Sequence, residues 1–158
     1  MKKLRNIENI DKALIENIKS IILNARKNVY QKVNVELLAT YWRIGQEIVE
    51  AEQQNNIDNQ TSRQIILRLS KQLTNELGKG FSRSNLFNMK KFYQEFPNVQ
   101  PVAGHLSWTH ICELLVIEDK DKRSFYEKET INSSWSKYTT ILPDKQKLIA
   151  EVRQIINK

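Results

Sequence analysis

One helical pattern closes at Gly78 and another opens at Ser82, so residues 78–82 must make a tight turn between two helices. Gly78 and Gly80 are two of only four glycines in the chain. A pair spaced this way suits the left-handed stop of one helix, because glycine has no Cβ to clash there. Ser82 then supplies a side-chain oxygen to cap the next helix. Winding residues 83–96 at about 3.6 residues per turn gathers Leu86, Met89, Phe92, Tyr93 and Phe96 on one stripe that must be buried. The other side carries Arg83, Ser84, Asn88, Lys90, Lys91 and Gln94, with Lys79 in the turn before it. Such side chains reach phosphates and base edges, and the second helix of a two-helix unit is the element that enters a major groove. A basic amphipathic helix also serves as a plain solvated surface. Phe87 resists that reading, since it falls in the middle of the polar face, where it either packs under a neighbouring segment or touches a partner.

The chain reads as all-α. Apolar residues at Ile7, Ile10, Leu14, Ile18, Ile21, Ala25 and Val29 describe a long amphipathic helix ending near Val33. Its narrow stripe packs along the domain or pairs with another copy of itself, which makes a homodimer through this helix an expectation. Asn34 is placed to cap a second helix, Val35 to about Gln53, with Leu37, Leu38, Tyr41, Ile44, Ile48 and Val49 inward. Gly45 inside it weakens the helix and admits a close neighbour. A polar linker, Asn55 to Gln60, leads to the capping-box spacing Thr61-Ser-Arg-Gln64, which opens a third helix burying Ile65, Ile66, Leu69, Leu73 and Leu77. Residues 97–106, with Pro97, Pro101 and Gly104, form the clear loop and have room for an extended piece such as the wing of a winged-helix fold. Ser107 caps a short helix through Ile117 that buries Ile111, Leu114 and Leu115, and Asp119 caps another through about Ile131, with Phe125 facing the core. Pro143-Asp144 opens a final amphipathic helix.

With 158 residues, one domain with a real core is expected. The organisation expected is a long N-terminal helix (1–33), a central domain (34–136) and a C-terminal tail helix (137–158). No apolar run is long enough to cross a membrane or form a signal-peptide core, so a cytoplasmic protein with no membrane association is expected. The lone Cys112 with only His105 and His110 beside it lacks the ligands of a structural zinc site, and a buried, unreactive thiol is its expected fate. The net charge of +7 is unevenly spread. Residues 1–33 hold eight Lys/Arg against three Asp/Glu, a balance of +5, and residues 61–96 hold seven against two, again +5, whereas residues 34–60 hold one against five. Basic charge concentrated in these two stretches has the distribution of a nucleic-acid footprint.

No Gly-rich phosphate loop, nucleophile elbow or metal-ligand spacing occurs in the sequence. The carboxylates Glu118, Asp119, Asp121, Glu127 and Glu129 alternate with Lys120, Lys122, Arg123 and Lys128, the texture of a solvated helix rather than of a cation site. Trp108 beside His110 reads as packing at a helix start. Neither a cofactor nor a metal nor catalytic residues are expected.

Several clusters in order carry a family resemblance. Tyr41-Trp-Arg-Ile-Gly45, the stretch Gly78 to Leu86 with Met89 and Phe92-Tyr93, Leu106-Ser-Trp-Thr-His110 with Glu113-Leu-Leu115 and Glu118-Asp119, then Phe125-Tyr126 and Trp135-Ser136, resemble the N-terminal domain of YhcG-like proteins over roughly residues 34–136. In that family a helical, winged-helix-like module associated with DNA precedes a PD-(D/E)XK nuclease domain. The resemblance therefore implies a double-stranded DNA partner. This chain departs in carrying Cys112 where the family usually has an arginine, and its segment from Ser136 to Pro143 resembles the tail that follows the nuclease domain. A PD-(D/E)XK site needs an Asp and a Glu-x-Lys on adjacent strands to hold a metal. Pro143-Asp144 opens a helix instead, so the sequence reads as a non-catalytic module with the nuclease core missing. The rival expectation is a protein–protein module that assembles with a full-length nuclease through the first helix and the tail.

Overall fold

The computed structural model describes residues 2–132, with side chains from Glu8 onward. Within that span the chain is helical, with α1 (Lys2–Gln54), α2 (Asn59–Leu77), α3 (Arg83–Glu95), α4 (Gln100–Ala103), α5 (Trp108–Val116) and α6 (Lys120–Asn132). No strand occurs among the described residues. The segment with room for a wing folds as α4, a single turn that buries Val102 and Ala103. The tail helix expected after Pro143, and the Trp135-Ser136 cluster, lie outside the described residues.

The first correction concerns α1. A break was expected at Val33–Asn34, yet one helix of 53 residues runs through it. Asn34 does not cap anything. Its side-chain amide donates to the carbonyls of Ala103 at 3.2 Å and Leu106 at 2.6 Å, tying α1 to the loop around α4. From Asn34 onward α1 is the floor of the domain, with Leu38, Ile48 and Val49 buried. Before it, every described side chain is exposed, and the apolar stripe lies bare, with Ile10 60%, Ile18 47% and Ile21 67% accessible.

Two apolar clusters hold the rest together. The larger joins Leu38 of α1, Phe92 of α3 and Phe96 just after it to Val102, Ala103, Leu106, Ile111, Leu114, Leu115 and Ile117. The smaller joins Ile66 of α2 to Leu86 and Met89 of α3. Trp108 touches both, standing edge-on to Tyr41 (4.7 Å between ring centres) and to Phe92 (5.6 Å). α3 is thus central, seated along α1. Gly45 makes the seat possible, because a Cβ there would stand 2.0 Å from the carbonyl oxygen of Met89.

Local chemistry sets most helix ends. Ser82 accepts from the backbone amide of Asn85 at 3.1 Å, and Asp119 accepts from Asp121 and Lys122 at 2.9 and 3.0 Å. Ser107 and His110 form a reciprocal capping pair. α2 starts two residues earlier than Thr61, because Asp58 accepts from the Thr61 amide at 2.7 Å and so is the cap. These amides hold the carboxyls of Asp58 and Asp119 below the ordinary aspartate value. Three inward assignments are also corrected. Leu37 is 38% exposed on α1, Leu77 is 65% exposed at the end of α2, and Phe125 is 58% exposed on α6, which instead buries Arg123 and Thr130.

Candidate functional site

The turn between α2 and α3 takes the shape its glycines allow. Gly78 has φ of 90° and Gly80 of 110°, both in the region that L side chains avoid. Asn85, in the first turn of α3, clamps it by donating from its side-chain amide to the Gly80 carbonyl at 2.6 Å. The same residue's amide oxygen accepts from the Trp108 indole at 2.8 Å, so the turn is pinned to α5. The polar periodicity of α3 gave no warning of this role for Asn85, since both partners lie outside the helix. Phe81 in the turn packs on the smaller cluster.

Beside this turn, α2 and α3 enclose a shallow depression of about 460 Å³ lined by Arg63, Arg83, Ser84, Phe87 and Asn88. Arg63, Arg83 and Ser84 are exposed, while Phe87 and Asn88 are half-buried. Phe87 packs against the Ile66, Leu86 and Met89 cluster and also lines the depression, so packing and surface presentation both apply to it. Asn88 Nδ2 stands 3.5 Å from the Cys112 sulfur. Burial pushes the Cys112 thiol up to about 11, which keeps it protonated and unreactive at neutral pH. Arg63 was not singled out from the sequence, although its place in the first turns of α2 beside a capped N-terminus was a usable signal.

The other expected contacts are distributed differently. Lys79 is exposed in the turn. Lys90 turns inward, pairing with Glu52 of α1 at 2.6 Å and donating to Ser62 of α2 at 3.1 Å. Ser62 in turn donates to the second oxygen of Glu52, so this small network locks three helices together. Lys91 donates to the Leu115 carbonyl at 2.7 Å, satisfying the last turn of α5. Both lysines were expected on a free polar face, and both are held within the fold. A helical projection cannot show this, because it treats every side not apolar as solvent. Gln94 is exposed beside a different depression, formed with Glu95, Phe96, Pro97, Lys120, Arg123, Ser124 and Glu127.

The carboxylates of α6 do not gather. Among the described residues no three His, Cys, Asp or Glu side chains are placed to hold a metal ion. Arg123, 5% exposed, donates through Nε and Nη2 to the Ile117 carbonyl at 3.0 and 2.7 Å and pairs with Glu95. It thereby anchors α6 to the ends of α3 and α5. No helix among the described residues is long and apolar enough to cross a membrane.

Comparison with known proteins places the chain in a family. No solved structure matches the chain. The protein named "Putative nuclease YhcG" of Escherichia coli K12 is 32% identical over 148 residues, a match covering 73% of this chain and 40% of that protein. The chain therefore spans less than half the length of this relative. The family model of the DUF1016 N-terminal domain matches residues 17–146, taking in α2, α3, the turn between them and most of α1. The chain belongs to the DUF1016 N-terminal domain family and is YhcG-like.

Proposed function

We propose that the chain is a non-catalytic module that binds double-stranded DNA through the N-terminal end of α3. The observation that carries this reading is the depression in which Arg63 and Arg83 flank Ser84, Phe87 and Asn88. Two guanidiniums suit a pair of phosphates, which they grip bidentately. Between them, a hydroxyl and a carboxamide at the start of a helix are the donors and acceptors that read base edges, and Phe87 offers an apolar face to a thymine methyl. In this reading α2, the turn and α3 form a helix-turn-helix whose second helix enters the major groove. Lys79 in the exposed turn adds a further phosphate contact. Lys90 and Lys91 have no part in the interface, since Glu52 and the Leu115 carbonyl already hold them.

A titration against duplex DNA across a salt series tests the reading. If Arg63 and Arg83 each neutralise a phosphate, the slope of log affinity against log salt falls by about 0.9 for each one replaced by alanine. Asn88→Ala and Ser84→Ala change sequence preference, by about 1–3 kcal/mol per base read, more than they change salt dependence. An Arg63→Ala/Arg83→Ala variant that stays folded and keeps both affinity and slope would sink the assignment. In the same preparations duplex DNA stays intact with Mg²⁺ or Mn²⁺. Cleavage that survives repurification would overturn the non-catalytic part.

A further inference from the structure

The N-terminal half of α1 carries an apolar face that no other described residue covers. At about 100° per residue, Ile10, Leu14, Ile18, Ile21, Ala25 and Val29 fall on one side of the helix, roughly 150° around the axis from Leu38, Tyr41, Gly45 and Val49, which face the domain. Because α1 is a single unbroken helix, the bare stripe points away from the folded body. We infer that this face is an antiparallel dimer seam, and that its occupant is α1 of a second copy of this chain.

The spacing argues for a copy. Ile10 and Ile21, Leu14 and Ala25, and Ile18 and Val29 are each eleven residues apart, the repeat that keeps a seam nearly parallel to the axis or drifting slightly right-handed. Read from either end, the intervals are the same: four, four, three, four, four. A two-fold axis between Lys19 and Ser20 therefore superposes the stripe on itself. Ile10 then meets Val29 of the other copy, Ile18 meets Ile21, and Leu14 meets Ala25, a large residue opposite a small one.

Charge decides the direction. Residues 8–16 carry Glu8, Asp11 and Glu16 against Lys12, while residues 17–33 carry Lys19, Arg26, Lys27 and Lys32 with no acid. An antiparallel pair lays each acidic segment along the other copy's basic one. Asp11 and Lys32 project within the stripe itself, and the same axis sets Asp11 opposite Asn28 of the other copy, one helical turn, about 6 Å along the axis, from its Lys32. A parallel pair would instead set Asp11 against Asp11 and Lys32 against Lys32, like charges in a desolvated seam. The exposed Lys19–Glu16 pair, at 3.0 Å, projects away from the seam and survives in either arrangement.

The test uses the full chain with Cys112→Ser as background, which leaves no other thiol. Sedimentation well above micromolar concentration is expected to show a dimer, and Ile18→Glu to leave a folded monomer, as Ile18 touches none of the core. Under mild oxidation, Ile10→Cys and Val29→Cys are each expected to stay uncross-linked alone and to form a disulfide when mixed. Asp11→Lys should weaken the dimer about tenfold, and Asp11→Lys/Lys32→Asp should restore it. A monomer at every concentration overturns the inference, including one in which residues 133–158 protect the stripe from exchange. Efficient cross-linking of Ile10→Cys to itself overturns the antiparallel arrangement. Each of these failures leaves the DNA titration unaffected and separately readable.

Discussion

Replacing Gly45 with alanine isolates the contact that seats α3 on α1. Two effects oppose each other. Within an exposed helix alanine is preferred to glycine by about 1 kcal/mol. At Gly45, however, the new Cβ would stand 2.0 Å from the Met89 carbonyl oxygen, 2.7 Å from its carbon and 3.0 Å from Tyr93 Cβ. Carbon and carbonyl oxygen approach comfortably to roughly 3.3 Å, so α3 must withdraw by somewhat more than 1 Å. The obstacle is backbone, which cannot swing aside as a side chain does, and the withdrawal loosens Met89 and Phe92 in both clusters. Overpacking of this kind costs about 1–3 kcal/mol and occasionally more, which exceeds the propensity gain at the upper end. A backbone collision belongs at that end, so the expected net loss is about 1–2 kcal/mol, or about 2–8 °C in Tm for a chain of this size. Thermal unfolding followed by circular dichroism reads it directly. Gly104→Ala is the control, since nothing lies within 4 Å of a Cβ there and its φ is −79°. That variant should unfold within about 2 °C of the parent. If Gly45→Ala matches or exceeds the parent's Tm, close helix approach is not what holds glycine at this position.

Arg123→Ala removes the anchor of α6 and leaves Glu95 without its partner and the Ile117 carbonyl without its donors. A loss of about 3 kcal/mol is expected by denaturant titration, and a change within error would refute the anchoring role. Lys90→Ala and Lys91→Ala should each lower stability by about 1–2 kcal/mol while leaving the salt slope of DNA binding at the parent value, so a slope reduced by either would return that lysine to the interface. The caps Asp58 and Asp119 have carboxyls held below their unfolded value of 3.8, so their contribution is present above that value and is lost as pH falls through the folded one. Asp58→Asn/Asp119→Asn should therefore show a shallower loss of stability below about pH 4 than the parent, and identical acid profiles would refute it.

Features written in one turn of chain were legible before any fold was known. Ser82, Ser107 and Asp119 cap their helices because capping needs only a side-chain oxygen and the next three residues, and Gly78 and Gly80 sit where only glycine is comfortable. Gly45 announced a close neighbour for the same reason, though not which one. Features that depend on distant partners were hidden. The apolar side of α1 swings round the axis between Val29 and Val35, which reads as a break between two helices; the structure instead keeps one helix and gives its two faces different surroundings. Asn34 looked like a cap because its partners, the carbonyls of Ala103 and Leu106, lie some seventy residues on. The candidate site divided along the same line. Arg83, Ser84 and Asn88 come together because helical spacing suffices to group them, whereas the engagement of Lys90 and Lys91 depended on where Glu52 and the end of α5 would lie.

The continuity of α1 also couples rotation to residue count. With no loop between the bare stripe and the Gly45 seat, nothing along the way can absorb a twist. Each residue inserted or removed between Val29 and Asn34 turns the domain about the helix axis by about 100° and moves it by about 1.5 Å relative to whatever grips the first half. Two insertions would swing the Arg63 and Arg83 surface to nearly the opposite side, while eleven would return it to within about 20° of its starting direction and about 16 Å further out. The helix thus behaves as a keyed shaft, and in relatives of this chain the length of that segment should vary, if at all, in steps that preserve the angle.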